Sequence, residues 1–353
     1  MHYLCFLVKK MNKSSILVIY TGGTIGMKAH PLTGELVPFR FEHVLEEVPE
    51  LRKFGFRIDT HSFDPVIDSS DIFPEFWIKL ALHIEKEYNN YDGFVVLHGT
   101  DTMSYSASAL SFMLENLEKP VIFTGSQLPI GLPRTDGKEN FISAVEIAAA
   151  KDADGHAIVP EVCIFFQDEL FRGNRTFKYN AEEFRAFRSP NHPPLAEAGI
   201  HIKYNQKYIR YPESWGKQLR IHTRLGTDIA ILKIFPGIEK RVVEAVLGIE
   251  GLRAVILETY GQGNAPSAKW LLDLLSGAVG RGIILLNITQ CPAGSVFMDS
   301  YACGARLKES GVLSGYDMTT EAAVTKTMLL TALFSDNERV KHFLSQSLNG
   351  EFS

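Results

Sequence analysis

From Ser15 onward, short apolar runs alternate with stretches whose apolar residues recur at helical spacing. Ile16-Leu17-Val18-Ile19, Gly93-Phe94-Val95-Val96-Leu97, Val121-Ile122-Phe123 and Val162-Cys163-Ile164-Phe165-Phe166 are continuously apolar. They therefore read as strands covered on both faces rather than as half-exposed ones. Between the second and third runs, Ala107, Leu110, Met113, Leu114 and Leu117 fall at helical spacing. This strand, helix, strand order predicts a βαβ unit, whose right-handed crossover places both strands in one parallel sheet. A second helix is predicted over about 139–150, leading into the Val162 strand.

Between 189 and 225 the periodicity lapses, and Pro190, Pro193, Pro194 and Pro212 punctuate the stretch as in a domain linker. A second series follows, with strands over 228–234, 254–257 and 283–288, helices over 242–247 and 270–275, and two closing helices from about 320. The pattern predicts an α/β fold of two α/β domains, a larger N-terminal one with a mainly parallel sheet and a smaller C-terminal one. The expected partition is an extension over 1–13, an N-terminal domain over 14–188, a linker over 189–225 and a C-terminal domain over 226–353.

Composition narrows the picture without changing it. The 353 residues exceed what one core usually serves, which agrees with two domains. The formal net charge of -5 argues against a nucleic-acid partner, which would demand a basic excess. One basic stretch, 203–224, carries six Lys or Arg against Glu213 and interleaves Tyr204, Tyr208, Tyr211 and Trp215. Without an RNP-type aromatic motif it reads as a solvated linker or hairpin rather than an RNA platform. Cys5, Cys163, Cys291 and Cys303 form no C-x-x-C pair, and the eleven histidines show no metal spacing. Neither a metal nor a cofactor is implied. The apolar run at 3–8 is shorter than a signal h-region, and Met11 is an alternative start. No window reaches the roughly 20 apolar residues of a membrane span, so a soluble, cytoplasmic protein is expected.

Ligands of open parallel sheets bind beyond the carboxyl ends of the strands, and here those ends are polar. Thr21-Gly22-Gly23-Thr24-Ile25-Gly26 follows the first run, His98-Gly99-Thr100-Asp101-Thr102 the second and Thr124-Gly125-Ser126-Gln127 the third. A glycine pair opening a helix could cradle phosphate. Yet no lysine follows the turn as a P-loop needs, and G-x-G-x-x-G spacing is absent. The alternative is that the glycines let the backbone approach a small substrate and hold Thr24 against it. A threonine hydroxyl then needs a proton acceptor nearby, which Thr100, Asp101 and a distant lysine could provide.

These residues, with Asp68-Ser69-Ser70-Asp71, the His98-to-Met103 run, Asn174-Arg175-Thr176-Phe177-Lys178, Tyr260-Gly261-Gln262-Gly263-Asn264-Ala265-Pro266 and Thr289-Gln290-Cys291, resemble the type I (cytoplasmic) L-asparaginases in order and spacing. The resemblance covers nearly everything from about 14 to 351. It implies hydrolysis of L-asparagine to L-aspartate and ammonia, with Thr24 as nucleophile and a β-aspartyl enzyme as intermediate. Thr100, Asp101 and Lys178 match the supporting triad, Lys178 acting through Thr100 on proton transfers. Ser69, with Ser70 beside it, corresponds to the ligand of the substrate α-carboxylate, and Asp101 to that of the α-ammonium. Backbone N–H groups near Thr24 and Thr100 would serve as oxyanion donors. The resemblance also implies a homodimer or homotetramer, in which Asn264 reaches a neighbouring site.

Other readings of the same residues stand beside this one. Thr24 could cap a helix, Asp101 and Lys178 could be a structural ion pair, Ser69 and Ser70 could be turn residues, Asn264 a simple turn asparagine, and His98 a packed loop residue. A glutaminase-type amidohydrolase and a non-catalytic amino-acid-binding module are the competing functions. The sequence also departs from the family twice. Gly34-Glu35-Leu36 stands where the mobile segment often carries Gly-Tyr. Further on, Phe177 replaces a threonine and Glu258 an arginine of the asparagine-responsive members, leaving only Cys291 of that effector pattern. The expectation is an enzyme without that allosteric switch.

Overall fold

The computed structural model describes residues 14–29, 33, 36–38, 44–299 and 302–353. The expected extension over 1–13 and the Gly34-Glu35 pair of the mobile segment lie outside these residues.

Eight strands form the larger sheet, in the order Ile202–Tyr204, Ala196–Ala198, Glu169–Arg172, Val162–Phe166, Val121–Thr124, Gly93–Leu97, Ser15–Tyr20 and Arg57–Ser62. The five from Val162–Phe166 to Arg57–Ser62 pair in parallel, and the remaining pairings are antiparallel. Gly93–Leu97 and Val162–Phe166 are buried along their whole length. Their continuous apolar character follows from helices packing on both faces. One face carries Phe141, Ala144 and Val145 of the helix Gly137–Ala149, and the other carries Ala107 and Leu110 of Met103–Met113 with Trp77 and Leu80 of Pro74–Glu87. The second sheet is parallel throughout, in the order Ile229–Lys233, Ala254–Thr259, Ile284–Thr289 and Leu313–Ser314. Two α/β units with a larger, mainly parallel first sheet agree with the fold read from the pattern.

Particular boundaries differ. The helix after Gly93–Leu97 ends at Met113, and Leu114 pairs instead with Ile221 in a short antiparallel ladder. Leu114 and Leu117 are apolar at helical spacing because both pack into the same core as the helix, by other routes. Within 189–225, Ala196–Ala198 and Ile202–Tyr204 extend the large sheet. At three residues each, they are too short for a period-2 pattern to register. The helix Pro74–Glu87 was not anticipated, although Pro74 sits at its first turn and Phe76, Trp77, Leu80, Ala81 and Ile84 mark its buried face.

The units meet across an apolar seam. Helix Met103–Met113 of the first packs on helix Thr320–Leu333 of the second, and Phe112 is buried within the second unit's core. Lys326 and Glu351, both fully buried, pair at 2.6 Å beside this seam.

Candidate active site

Beyond the strand ends, hydrogen bonds continue the ladders into the loops and fix their mutual positions. Thr21 donates its backbone N–H and its hydroxyl to the Leu97 carbonyl, at 3.0 and 3.1 Å, and Ile67 N–H donates to the Thr21 carbonyl at 2.8 Å. His98 N–H reaches the Thr124 carbonyl at 2.9 Å. The loops then touch through glycines. A Cβ on Gly22 would lie 2.1 Å from the Ile67 carbonyl oxygen, one on Gly23 2.6 Å from Gly99 Cα, and one on Gly99 2.4 Å from Ser69 Oγ. Three loops far apart in sequence are thereby pressed together, with Thr24, Thr100 and Ser69 at the points of contact.

Thr24 opens the 3-10 turn Thr24–Gly26, whose capping position belongs to Gly23, and the turn has no side-chain cap. The helix-cap reading of Thr24 therefore finds no support. Lys178 Nζ donates to Thr100 Oγ1 at 2.9 Å and to Asp101 Oδ1 at 2.6 Å. Lys178 is mostly buried, at 19% side-chain exposure, whereas Asp101 is open at 62%. In such a pair the carboxylate keeps a solvent-facing side while the ammonium is held inside. Ser69 is buried and begins a short 3-10 turn, and Thr102 Oγ1 donates to its carbonyl at 2.6 Å. Asp68 caps that turn by accepting from Ser70 N–H at 2.9 Å and from the Ser70 hydroxyl at 2.8 Å. These bonds, the backbone one foremost, hold the Asp68 carboxyl below its ordinary pKa. Ser70 is thus the exposed, turn-bound partner and Ser69 the one facing Gly99.

Asn264 lies apart from this cluster in sequence and in sheet. It follows the second-unit strand Ala254–Thr259, exchanging two backbone hydrogen bonds with Tyr260, both at 2.8 Å. Asn287 Nδ2 donates to the neighbouring Gly263 carbonyl at 3.1 Å.

His98 is packed as expected. Its ring is buried, with Nδ1 against the Gly99 carbonyl at 2.6 Å and Nε2 against Ser106 Oγ at 2.9 Å, and Trp77 Nε1 donates to that same hydroxyl at 2.8 Å. Burial pushes its pKa down to about 4, so the ring is neutral at pH 7 and serves as scaffold for the Gly99 loop. Tyr20, at the end of its strand, packs its ring where a Cβ on Gly26 would fall, and burial raises its hydroxyl to about 12.

Sequence reasoning passed over Gln127. Its Oε1 lies 3.5 Å from Thr100 Oγ1, and its Nε2 donates to the carbonyls of Ala181 and Glu183, at 3.3 and 3.1 Å. Its backbone N–H is held by both carboxylate oxygens of Asp136, at 3.1 and 3.0 Å. The available signal was its place in the polar run Thr124-Gly125-Ser126-Gln127, three residues past the end of the strand Val121–Thr124.

A cavity of about 230 Å³ opens at the carboxyl ends of the second sheet and brings together Phe177, Lys233, Glu258, Cys291, Asp317 and Glu321. Glu258 accepts from the Thr320 hydroxyl at 2.8 Å and pairs with Lys233 at 3.4 Å. Phe177, Glu258 and Cys291, the three positions of the effector pattern, thus line one space next to Lys178.

Two tandem parallel-sheet units with a threonine, lysine and aspartate cluster at the strand ends of the first define the class: residues 15–210 match the family model "Asparaginase, N-terminal" and 228–344 match "Glutaminase/Asparaginase C-terminal domain", and the chain belongs to the asparaginase family. Among individual relatives, it is 45% identical to "L-asparaginase 1" of Escherichia coli strain K12, over 97% of this chain and 99% of that protein. It is 40% identical to the "60 kDa lysophospholipase" of Mus musculus, over 96% of this chain but 62% of that protein. The crystal structure of L-asparaginase I from Vibrio cholerae O1 biovar eltor superposes with a TM-score of 0.88 at 42% identity, covering 97% of this chain and all of that one.

Proposed function

We propose that this protein hydrolyses the side-chain amide of L-asparagine, giving L-aspartate and ammonia, with Thr24 as nucleophile. The observation that carries the proposal is the hydrogen-bonded run Asp101–Lys178–Thr100, set against the Gly23–Gly99 contact that flanks Thr24. The Thr24 hydroxyl attacks the amide carbon, and its proton passes by way of Thr100 and Lys178 to the leaving nitrogen. The C–N bond breaks, ammonia departs and a β-aspartyl ester remains on Thr24. Water then attacks the same carbon, the ester C–O bond breaks, and its proton restores the Thr24 hydroxyl. Backbone N–H groups beside Thr24 and Thr100 meet the negative oxygen of each tetrahedral stage. Ser69 holds the substrate α-carboxylate with Ser70 beside it, and Asp101 takes the α-ammonium through its exposed side.

The working form is a homodimer or homotetramer in the cytoplasm, with Asn264 extending to a neighbouring chain's site. Among the described residues no helix is long and apolar enough to cross a membrane. The test is ammonia release from asparagine by the purified protein and by Thr24→Ala and Lys178→Met. Both variants should lose at least about a thousandfold in kcat, as removal of a nucleophile or its relay does in hydrolases, with their thermal midpoints unchanged. Near-normal ammonia release by either would remove the mechanism.

A further inference from the structure

The strand that carries Lys178 is short. Phe177–Lys178 spans two residues and forms its ladder with Phe187–Arg188. A lysine is long and rotamer-rich, and although the N–H groups of Tyr179 and Asn180 continue the hairpin to the Ala186 carbonyl at 2.7 and 3.2 Å, so small a hairpin leaves the ammonium, 2.9 Å from Thr100 Oγ1, dependent on what anchors its base. What holds the base of the strand is the turn Gly173–Arg175 before it, and that turn is gripped from an unexpected quarter.

Arg175 is almost fully buried, and the two terminal nitrogens of its guanidinium meet five acceptors. Nη1 donates to Asp317 Oδ1 at 2.9 Å and to the Glu351 carbonyl at 2.8 Å. Nη2 donates to Asp317 Oδ2 and the Asn191 carbonyl, both at 2.8 Å, and to Ser353 Oγ at 3.0 Å. One residue earlier, Asn174 Nδ2 donates to the Asn349 carbonyl at 3.1 Å, and Arg172 Nη1 lies 3.4 Å from the Gly350 carbonyl. Four partners of this turn and of Arg172 just before it thus belong to one short stretch: Asn349, Gly350, Glu351 and Ser353. That stretch is itself clamped. The Glu351 carboxylate accepts from Leu348 and Asn349 N–H at 2.9 and 2.8 Å and pairs with buried Lys326, while Phe352 stacks on Tyr316 with ring centroids 4.5 Å apart. Ser353 N–H closes the circuit on Asp317 Oδ1 at 2.9 Å.

We infer that residues 348–353 form a positioning element for the amidohydrolase site: they fix Arg175 and through it the reach of Lys178 Nζ to Thr100. The inference rests on the proposed role of Lys178. None of these residues touches the substrate; the segment sets the origin from which the lysine side chain is measured. Displacements of the order of 1 Å at a reacting group reduce rates by about a hundredfold, so a loosened turn should be visible in kcat well before the fold fails.

The test uses the full-length protein with four substitutions, following kcat, KM, the pH profile of kcat and the thermal midpoint. Arg175→Lys keeps the charge but cannot span five acceptors. It should lower kcat about tenfold to a hundredfold, leave KM within about threefold and shift the pH limb governed by the relay. Phe352→Ala, which loosens the segment without touching Arg175, should move kcat in the same direction by a smaller factor and keeps the question answerable if Arg175→Lys does not fold. Val340→Ala, in the second unit's core, is the stability control: its thermal midpoint should fall with kcat and pH profile unchanged. Wild-type kcat and pH profile in folded Arg175→Lys or Phe352→Ala would overturn the inference and leave the segment a structural tie. Activity surviving in Lys178→Met would instead overturn the reading of the site on which it rests.

Discussion

Two glycines decide where the Thr24 hydroxyl sits. Gly22 has φ 136° and Gly23 φ 93°, and the atoms that an added Cβ would strike are backbone atoms of Ile67 and of Gly99. Backbone cannot swing aside as a side chain can, so Gly23→Ala forces the first loop away from the Gly99 loop and carries about 1–3 kcal/mol of strain. Its kcat/KM should fall by at least about tenfold, alongside a lowered thermal midpoint, in a paired assay of ammonia release and calorimetry. Undiminished activity would mean that the contact does not place the nucleophile. At this scale the sequence was informative. Thr24, Thr100 and Asp101 stand in glycine-containing motifs at strand ends, where close approach needs glycine whatever the fold, whereas Ser69 and Lys178 were singled out by the family resemblance alone. Gln127 and Arg175 were less legible. Their side-chain partners lie 16 to 178 residues away and several are carbonyls, which any residue supplies and no motif records.

Elements were legible where burial is complete on both faces or where one face is strictly apolar. Strands Gly93–Leu97 and Val162–Phe166 satisfy the first condition, and helices Lys240–Leu247 and Lys269–Gly280 were placed by the second. The three-residue edge strands satisfied neither. Helix Thr320–Leu333 carries a charge whose behaviour follows from its position. Glu321, in the first turn, has its pKa raised from 4.5 to about 7: burial dominates, and Glu258 adds to it, against the lowering effect of its own backbone N–H and the Thr319 hydroxyl. Between pH 4.5 and 7 the folded chain keeps a proton that the unfolded chain has lost, so this group's contribution to stability falls as pH rises through that window and stays low above it. Glu321→Gln removes the dependence. Its thermal midpoint relative to the parent should therefore be higher at pH 8 than at pH 5, and an equal difference at both pH values would show that Glu321 does not titrate in this way.

For the molecule as a whole, the cavity beside Phe177 bears on regulation. Its Glu258 carboxylate, engaged by Lys233 and Thr320, stands where an arginine would be needed to clamp an amino-acid carboxylate. We propose that this cavity does not hold asparagine as an effector, since Lys233, its cation near Glu258, is already paired to that carboxylate, and without differential binding nothing shifts two states. Initial rates over a wide range of asparagine should saturate hyperbolically, and a sigmoidal curve would refute the claim. Assembly is tested separately: sedimentation and activity measured across a dilution series should fall together, with Asn264→Ala impaired even when fully assembled, whereas an active monomer would exclude a cross-chain role. The reach of the hold on Arg175 has one more consequence, in time rather than in space. Arg175 and Glu351 are 176 residues apart in sequence, and Asn349 also bonds to Ser111, 238 residues away. Loops of that length close slowly, and parallel sheets already place this chain among topologies of high contact order. Each unit can acquire its strands and helices before this junction forms, so during refolding helical signal should return ahead of catalysis, and the part of that interval that does not change with protein concentration contains the docking of a few residues onto one guanidinium.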